Sequence, residues 1–231
     1  MTDWNGKIKI ALITGQHPFV VQDLQRFFRS IDEIDCYPQH MEDFVNDIGS
    51  ARHVNRETFW GHPHLDYDVL VFYNMQRSHP DPEERFQKRE IEVINLLGET
   101  SQGILMLHHA VLAYKGWQPW SDICGIQDRT SGSEREHPIT ITPADPDHPI
   151  TNGMEPWEMV DETYMMDEPG DDCEPLLTTD DPHSMTTLGW TRQHKRSRVM
   201  VYTGGHSRIA YNTPEFRTVV VRGIQWLAGR L

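Results

Sequence analysis

Cationic side chains are scarce in this chain. Lys and Arg number 21 against 35 Asp and Glu, which gives a formal charge of -14 with histidine neutral. Phosphate backbones are bound by clustered Lys and Arg, and no such cluster stands here, so nucleic acid is excluded as a partner. The same deficit disfavours anionic membrane surfaces. No apolar run reaches the length of a membrane-spanning helix, and Met1-Thr-Asp-Trp-Asn-Gly6 lacks the charged-then-apolar layout of a signal peptide. Cysteine is sparse too. Cys36, Cys124 and Cys173 are far apart, odd in number and without CxxC spacing, against both a disulfide framework and a thiolate zinc site. The expectation is a cytoplasmic protein with reduced thiols.

What the chain has in quantity is histidine, 13 residues of it, enough to bring the formal charge to -1 if all were protonated. The acidity is therefore conditional on a side chain that titrates, moves protons and binds metals. Hydrophobic residues make up 37 % and the mean hydropathy is -0.60, so the surplus polarity belongs in long surface loops around apolar strands. A length of 231 residues suits one domain.

Lys7–Thr14 reads as a strand with a continuous apolar centre, the pattern of a strand covered on both faces. A helix follows, its stripe formed by Val20, Leu24, Phe27, Phe28 and Ile31. A polar stretch rich in His and Arg precedes a second central strand, Asp66–Asn74. Asp81-Pro82-Glu83-Glu84 has the cap, the proline and the acids of a helix start; Phe86, Val93, Ile94 and Leu97 of that helix are expected inside. Gly103–Leu107 is a short buried strand that stops at His108-His109-Ala110. The pattern then loosens, with strands expected near 138–142, 159–165, 174–179 and 185–190. Arg198–Thr203 is the last strand, and Thr213-Pro214-Glu215 opens a helix that carries Phe216, Val219, Val220 and Leu227 inward.

The alternation implies an α/β fold: an open, doubly wound, mostly parallel sheet of flavodoxin-like type. Residues 7–116 and 198–231 form its core, and 117–197 an elaboration over the sheet, partly antiparallel, within one domain spanning 1–231. Ligands of such sheets bind beyond the carboxyl ends of the strands. The residues delivered there are Gly15-Gln16-His17, Asn74-Met75-Gln76, His108-His109 and Gly204-Gly205-His206. Three of four strands bring histidine to one edge. His108 falls on a sharp strand-to-helix turn, where a reactive side chain is displayed. Asp161 and Glu162, in a strand of the elaboration, are carboxylates able to orient histidines or bind metal.

Thr14-Gly-Gln-His17, Gly103–Ala110, Asp161-Glu162-Thr-Tyr164, Gly204-Gly-His206 and Trp226-Leu-Ala-Gly229, in this order, together resemble the trehalose-utilisation (ThuA-like) family, from Lys7 to Leu231. The segment His148-Pro-Ile150, Gly153 and Trp157 is similar to that family's middle part. The resemblance implies the class I glutamine-amidotransferase-like fold. It also implies a role in carbohydrate metabolism, on sugars, keto-sugars or glycosides. Glutamine hydrolysis is excluded, because His108 stands where such enzymes need cysteine at the elbow. Ser207 stands where the resemblance leads one to expect an acidic residue.

Several residues carry a plainer reading beside the functional one. His17 is equally a helix cap, Glu162 equally the partner of an arginine, Tyr164 more often core. His62-Pro-His64 reads as a solvated loop. Tryptophans can stack on sugar rings, although packing is their commoner use; Trp117 and Trp190 are the two expected at the pocket. Catalysis is assigned to His108, His109, His206 and Glu162. Substrate contacts are assigned to His17, Gln16, Asn74, Tyr164, Trp117 and Trp190. A divalent metal such as zinc would be held by His17, His108 and His206. The expected partner is a small-molecule sugar, and apolar loop residues leave room for a second copy of the chain. The opposing expectation is a non-catalytic sugar-binding or assembly module that kept the fold.

Overall fold

The computed structural model describes residues 6–46 and 67–231. Its elements in chain order are β1 (Ile8–Gly15), α1 (Val21–Arg29), β2 (Ile34–His40), α2 (Met41–Asn46), β3 (Val69–Asn74), α3 (Arg85–Leu96) and β4 (Gly103–Leu107). A 3-10 turn at His108–Leu112 leads to α4 (Gln118–Cys124). The remainder is β5 (Gly132–Pro143), β6 (Trp157–Met165), β7 (Glu174–Thr178), β8 (Thr187–His194), β9 (Ser197–Tyr202), α5 (Arg208–Tyr211) and α6 (Pro214–Leu227). Among the described residues no helix is long and apolar enough to cross a membrane.

The strand order is β2-β1-β3-β4-β9-β8-β7-β5-β6. The first five strands are parallel, and β8, β7, β5 and β6 follow antiparallel. The chain reverses direction in the strand order between β1 and β3, the crevice where open α/β sheets receive ligands. Alternation along the central strands divides the core into two clusters. Ile8, Ile10, Leu12, Val69, Val71 and Tyr73 pack with α1 and α6, whereas Ala11, Ile13, Leu70 and Phe72 pack with α2, α3 and α4. Period-two burial on both faces produces the unbroken apolar runs of these strands.

Four features differ from the sequence reading. β2, with α2 after it, falls in the polar stretch. Among the described residues it pairs with β1 alone, Pro38 is tolerated on that edge, and only Ile34 of the strand is buried, so its apolar signal is faint. α3 begins at Arg85 rather than Asp81. Glu84 is the cap, accepting from the Phe86 and Gln87 N–H groups at 3.0 Å, while Asp81 closes the preceding turn on Glu83 N. Two side chains given to the core are on the surface: Val20 is 65 % exposed, just before α1, and Phe86 is 51 % exposed on the first turn of α3. Finally, the strands of the middle segment continue the sheet edgewise from β9 instead of lying over it, because β9 offers β8 a free ladder of backbone groups.

Candidate functional site

The carboxyl ends of β1, β3, β4 and β9 open on one edge. β6, last in the strand order, brings its carboxylates to the end of β9. Asp161 accepts from the N–H groups of Gly205 (2.6 Å), His206 (2.9 Å) and Glu162 (3.0 Å), which fixes the glycine turn relative to β6. Gly205 has a φ of 112°, and an added Cβ would press on the Phe216 ring at 3.1 Å, so the turn requires glycine. The Gly205 carbonyl receives the hydroxyls of Tyr73 (2.9 Å) and Tyr211 (3.1 Å). Ser207, where an acidic residue was expected, caps α5 by accepting from Ile209 N; Asp161 supplies the carboxylate of this turn instead.

His108 is fully buried and has a φ of 55°, a left-handed conformation that costs a non-glycine residue energy and clusters at functional turns. Its Nδ1 lies 2.8 Å from the Thr203 carbonyl. A carbonyl only accepts, so Nδ1 carries the proton and Nε2 faces the pocket. Around Nε2 stand the Tyr164 hydroxyl (3.0 Å), His206 Nδ1 (3.2 Å) and Glu162 Oε2 (3.3 Å). Glu162 Oε2 is 3.0 Å from His206 Nδ1, and Glu162 Oε1 is 3.4 Å from Arg135 Nε. Glu162 thus pairs with an arginine and also contacts two histidines.

The electrostatics divide the histidines. Burial works to raise the Glu162 carboxyl, but hydrogen bonds and charge from His108 and His206 outweigh it and hold the group well below its ordinary range. The Glu162 hydrogen bond raises His206, against an opposing effect of burial. Burial, then repulsion from the neighbouring His108 and His17 imidazoles, pushes His109 down to about 2. Burial and the same kind of repulsion, from His108 and His206, lower His17. Burial raises Asp161, opposed by His108 and its three N–H donors. Near neutral pH, His17 and His109 are therefore neutral.

The expected site residues separate into three groups. His108, His206, Glu162 and Tyr164 come together. His17 and His109 form an adjoining pair, rings stacked at 4.0 Å, with His109 edge-on to Tyr73 at 4.4 Å and to His108 at 5.0 Å. Neither ring nitrogen of His109 reaches good hydrogen-bond geometry, and His17 Nδ1 is buried in the same condition. Among the described residues the donor atoms that converge on this edge belong to His108, Glu162 and His206, and His17 is not among them. Gln16 lines a neighbouring cavity of about 320 Å³ with His40, Gln76, Glu84, Phe86 and Glu90. Asn74 is buried, donates to Gln76 and leaves its Oδ1 without a partner.

The two tryptophans do not line the histidine cluster. Trp190 is fully buried in the second core, its Nε1 donating to the Cys124 carbonyl at 2.8 Å. Trp117 packs on Tyr114 at 5.2 Å against the same core. Indole area is needed where α4 meets the sheet, and both are used there. Trp60, His53, His62 and His64 lie outside the described residues. Arg135 was missed by sequence reasoning. It sits on a bulge in β5 where Glu136 has a φ of 50°, and a bulge re-aims side chains without a sequence period to reveal it.

A family model described as ThuA, trehalose utilisation, matches residues 50–227. The chain belongs to the ThuA family. That membership places it broadly with carbohydrate-related proteins. No curated protein sequence matches it. Solved structures with a similar fold include a ThuA-like protein from Parabacteroides merdae, 20 % identical, with a TM-score of 0.70 over 96 % of this chain and 90 % of that one. A ThuA-like protein from Bacteroides uniformis is 14 % identical, with a TM-score of 0.67 over 95 % and 91 %. A glutamine amidotransferase from Thermotoga maritima is 9 % identical, with a TM-score of 0.53 over 96 % and 98 %. These likenesses establish the glutamine-amidotransferase-like α/β fold of this ThuA family member. Its three cysteines are free and lie away from the elbow, and burial pushes the Cys36 thiol up to about 12 and the Cys173 thiol up to about 11. No thiolate is offered where His108 stands.

Proposed function

We propose that this ThuA family member is an enzyme acting on a sugar, keto-sugar or glycoside at the carboxyl edge of the sheet. The reaction class is proton transfer next to a carbonyl or glycosidic carbon, of isomerase, lyase or hydrolase type. The observation that carries the reading is the strained, buried His108, held by Thr203 and aimed at Glu162, His206 and Tyr164. Removing a proton beside a keto group needs a base that is neutral near pH 7 and an electrophile for the developing oxyanion. His17, neutral and on the same edge, suits the first task. The His108–Glu162–His206 cluster suits the second, with an imidazolium or a metal ion as the electrophile.

The test incubates the protein with a panel of mono- and disaccharides and their keto derivatives in deuterated buffer, followed by proton NMR. The expected result is turnover, or deuterium exchange beside the carbonyl, that falls about 100- to 10,000-fold in His108→Ala and Glu162→Gln. Saturable sugar binding with neither turnover nor exchange would establish the non-catalytic module instead.

A further inference from the structure

We infer that His108 Nε2, Glu162 Oε2 and His206 Nδ1 form a three-donor site for a divalent cation of zinc type, open at its fourth position. The inference builds on the preceding reading of this cluster and names its electrophile as an ion. The three atoms close a triangle with sides of 3.0, 3.2 and 3.3 Å. A tetrahedral zinc ion with bonds of about 2.0–2.1 Å separates its donor atoms by about 3.3–3.4 Å, so the triangle matches one face of its coordination shell.

The Nδ1 contact with Thr203 leaves His108 Nε2 facing Glu162 Oε2 3.3 Å away. The surroundings support ligation. The Thr203 carbonyl fixes the His108 tautomer, as a metal-bound imidazole requires of its other nitrogen. Arg135 engages Glu162 through Oε1 and leaves Oε2 to the centre. The donors come from the end of β4, from β6 and from the turn after β9, each fixed by the fold. The His206 side chain is 26 % exposed, so the centre is open to solvent on that side, where a water or sugar oxygen can complete the shell. Two imidazoles and one carboxylate suit a borderline cation better than calcium or magnesium, which prefer all-oxygen shells. On binding, His206 Nδ1 releases its proton and Nε2 retains one.

A second grouping, His137 on β5 with Asp181 and His183 in the turn between β7 and β8, lies more exposed and supplies a control. The experiment uses the full chain without an affinity tag, stripped by chelator and titrated with Zn²⁺ by calorimetry and with Co²⁺ by visible absorption. The expected result is one equivalent per chain, Co²⁺ bands of tetrahedral intensity, and at least a 10-fold weaker affinity in Glu162→Gln and in His206→Ala. His183→Ala should bind as the parent does. Circular dichroism verifies that each variant is folded, and the near-isosteric Glu162→Gln keeps the test valid if His206→Ala is not. Absence of stoichiometric binding, or binding lost in His183→Ala and kept in Glu162→Gln, overturns the site. Metal binding is read without any sugar, so a ThuA protein that binds zinc and turns over no sugar would refute the proposed reaction and leave this site standing.

Discussion

Glu90 shows how a single residue beside the site is held at a cost. It is buried on α3 and accepts the Tyr114 hydroxyl, yet burial raises its carboxyl above the ordinary 4.5, with Tyr114 opposing and Glu42 reinforcing. A carboxyl that holds its proton more tightly folded than unfolded destabilises the native state once the pH passes above both values. That cost disappears as the pH falls below the unfolded value. Glu90→Gln keeps an acceptor for Tyr114 and removes the charge. It should therefore raise the unfolding midpoint at pH 8 and leave it nearly unchanged at pH 4, measured by thermal melts across that range. Residue-scale facts of this kind were hidden in the sequence, where Glu90 is one acid among many on a helix. The four histidines at strand ends were legible, because an apolar run that stops at Gly or His marks its own terminus. Arg135 was not, because only the bulge turns it toward Glu162.

At the scale of elements, the parallel half was legible and the antiparallel half only in part. Strands buried on both faces write themselves as unbroken apolar runs, and the observed β1, β3, β4 and β9 fall within two or three residues of those runs. β2 and α2 gave no such signal, since an edge strand containing Pro38 buries little. Trp190 and Trp117 were misplaced for a related reason. An indole in a loop-rich segment reads the same whether it meets a ligand or joins a core. The structure puts Trp190 between β8 and α4 with its N–H satisfied. Trp190→Ala should accordingly cost about 3–5 kcal/mol in urea unfolding, as deletion of a fully buried aromatic does. Trp117→Ala, at a half-buried position, should cost less, and neither should abolish zinc binding in a variant that still folds.

Across the whole molecule, the proposed ion would tie together strands far apart in the sequence, since its ligands at positions 108, 162 and 206 come from β4, β6 and the turn after β9. An ion that binds only the folded chain adds about 2.7 kcal/mol at a free concentration 100 times its dissociation constant. For a chain of this size that corresponds to a rise in melting temperature of roughly 5–10 °C. Differential scanning calorimetry with and without Zn²⁺ should show this rise in the parent and little of it in Glu162→Gln. At the same scale, the net charge of -14 keeps its original meaning, as an argument about which partners are disfavoured.

The sequence by itself determined the central parallel strands β1, β3, β4 and β9, the edge on which they end and the histidines that stop there, because burial on both faces and chain termination are local properties of residue order. Tertiary structure decided which of those histidines share a centre. His17 and His109 were turned onto each other, while His108 and His206 were closed around Glu162. The carboxylate arrives on β6, a strand that pairs with β5 and stands far from β9 in the strand order. Contact between such strands depends on the curvature of the sheet and on the Asp161 clasp at Gly205, and neither has a signature in residue spacing.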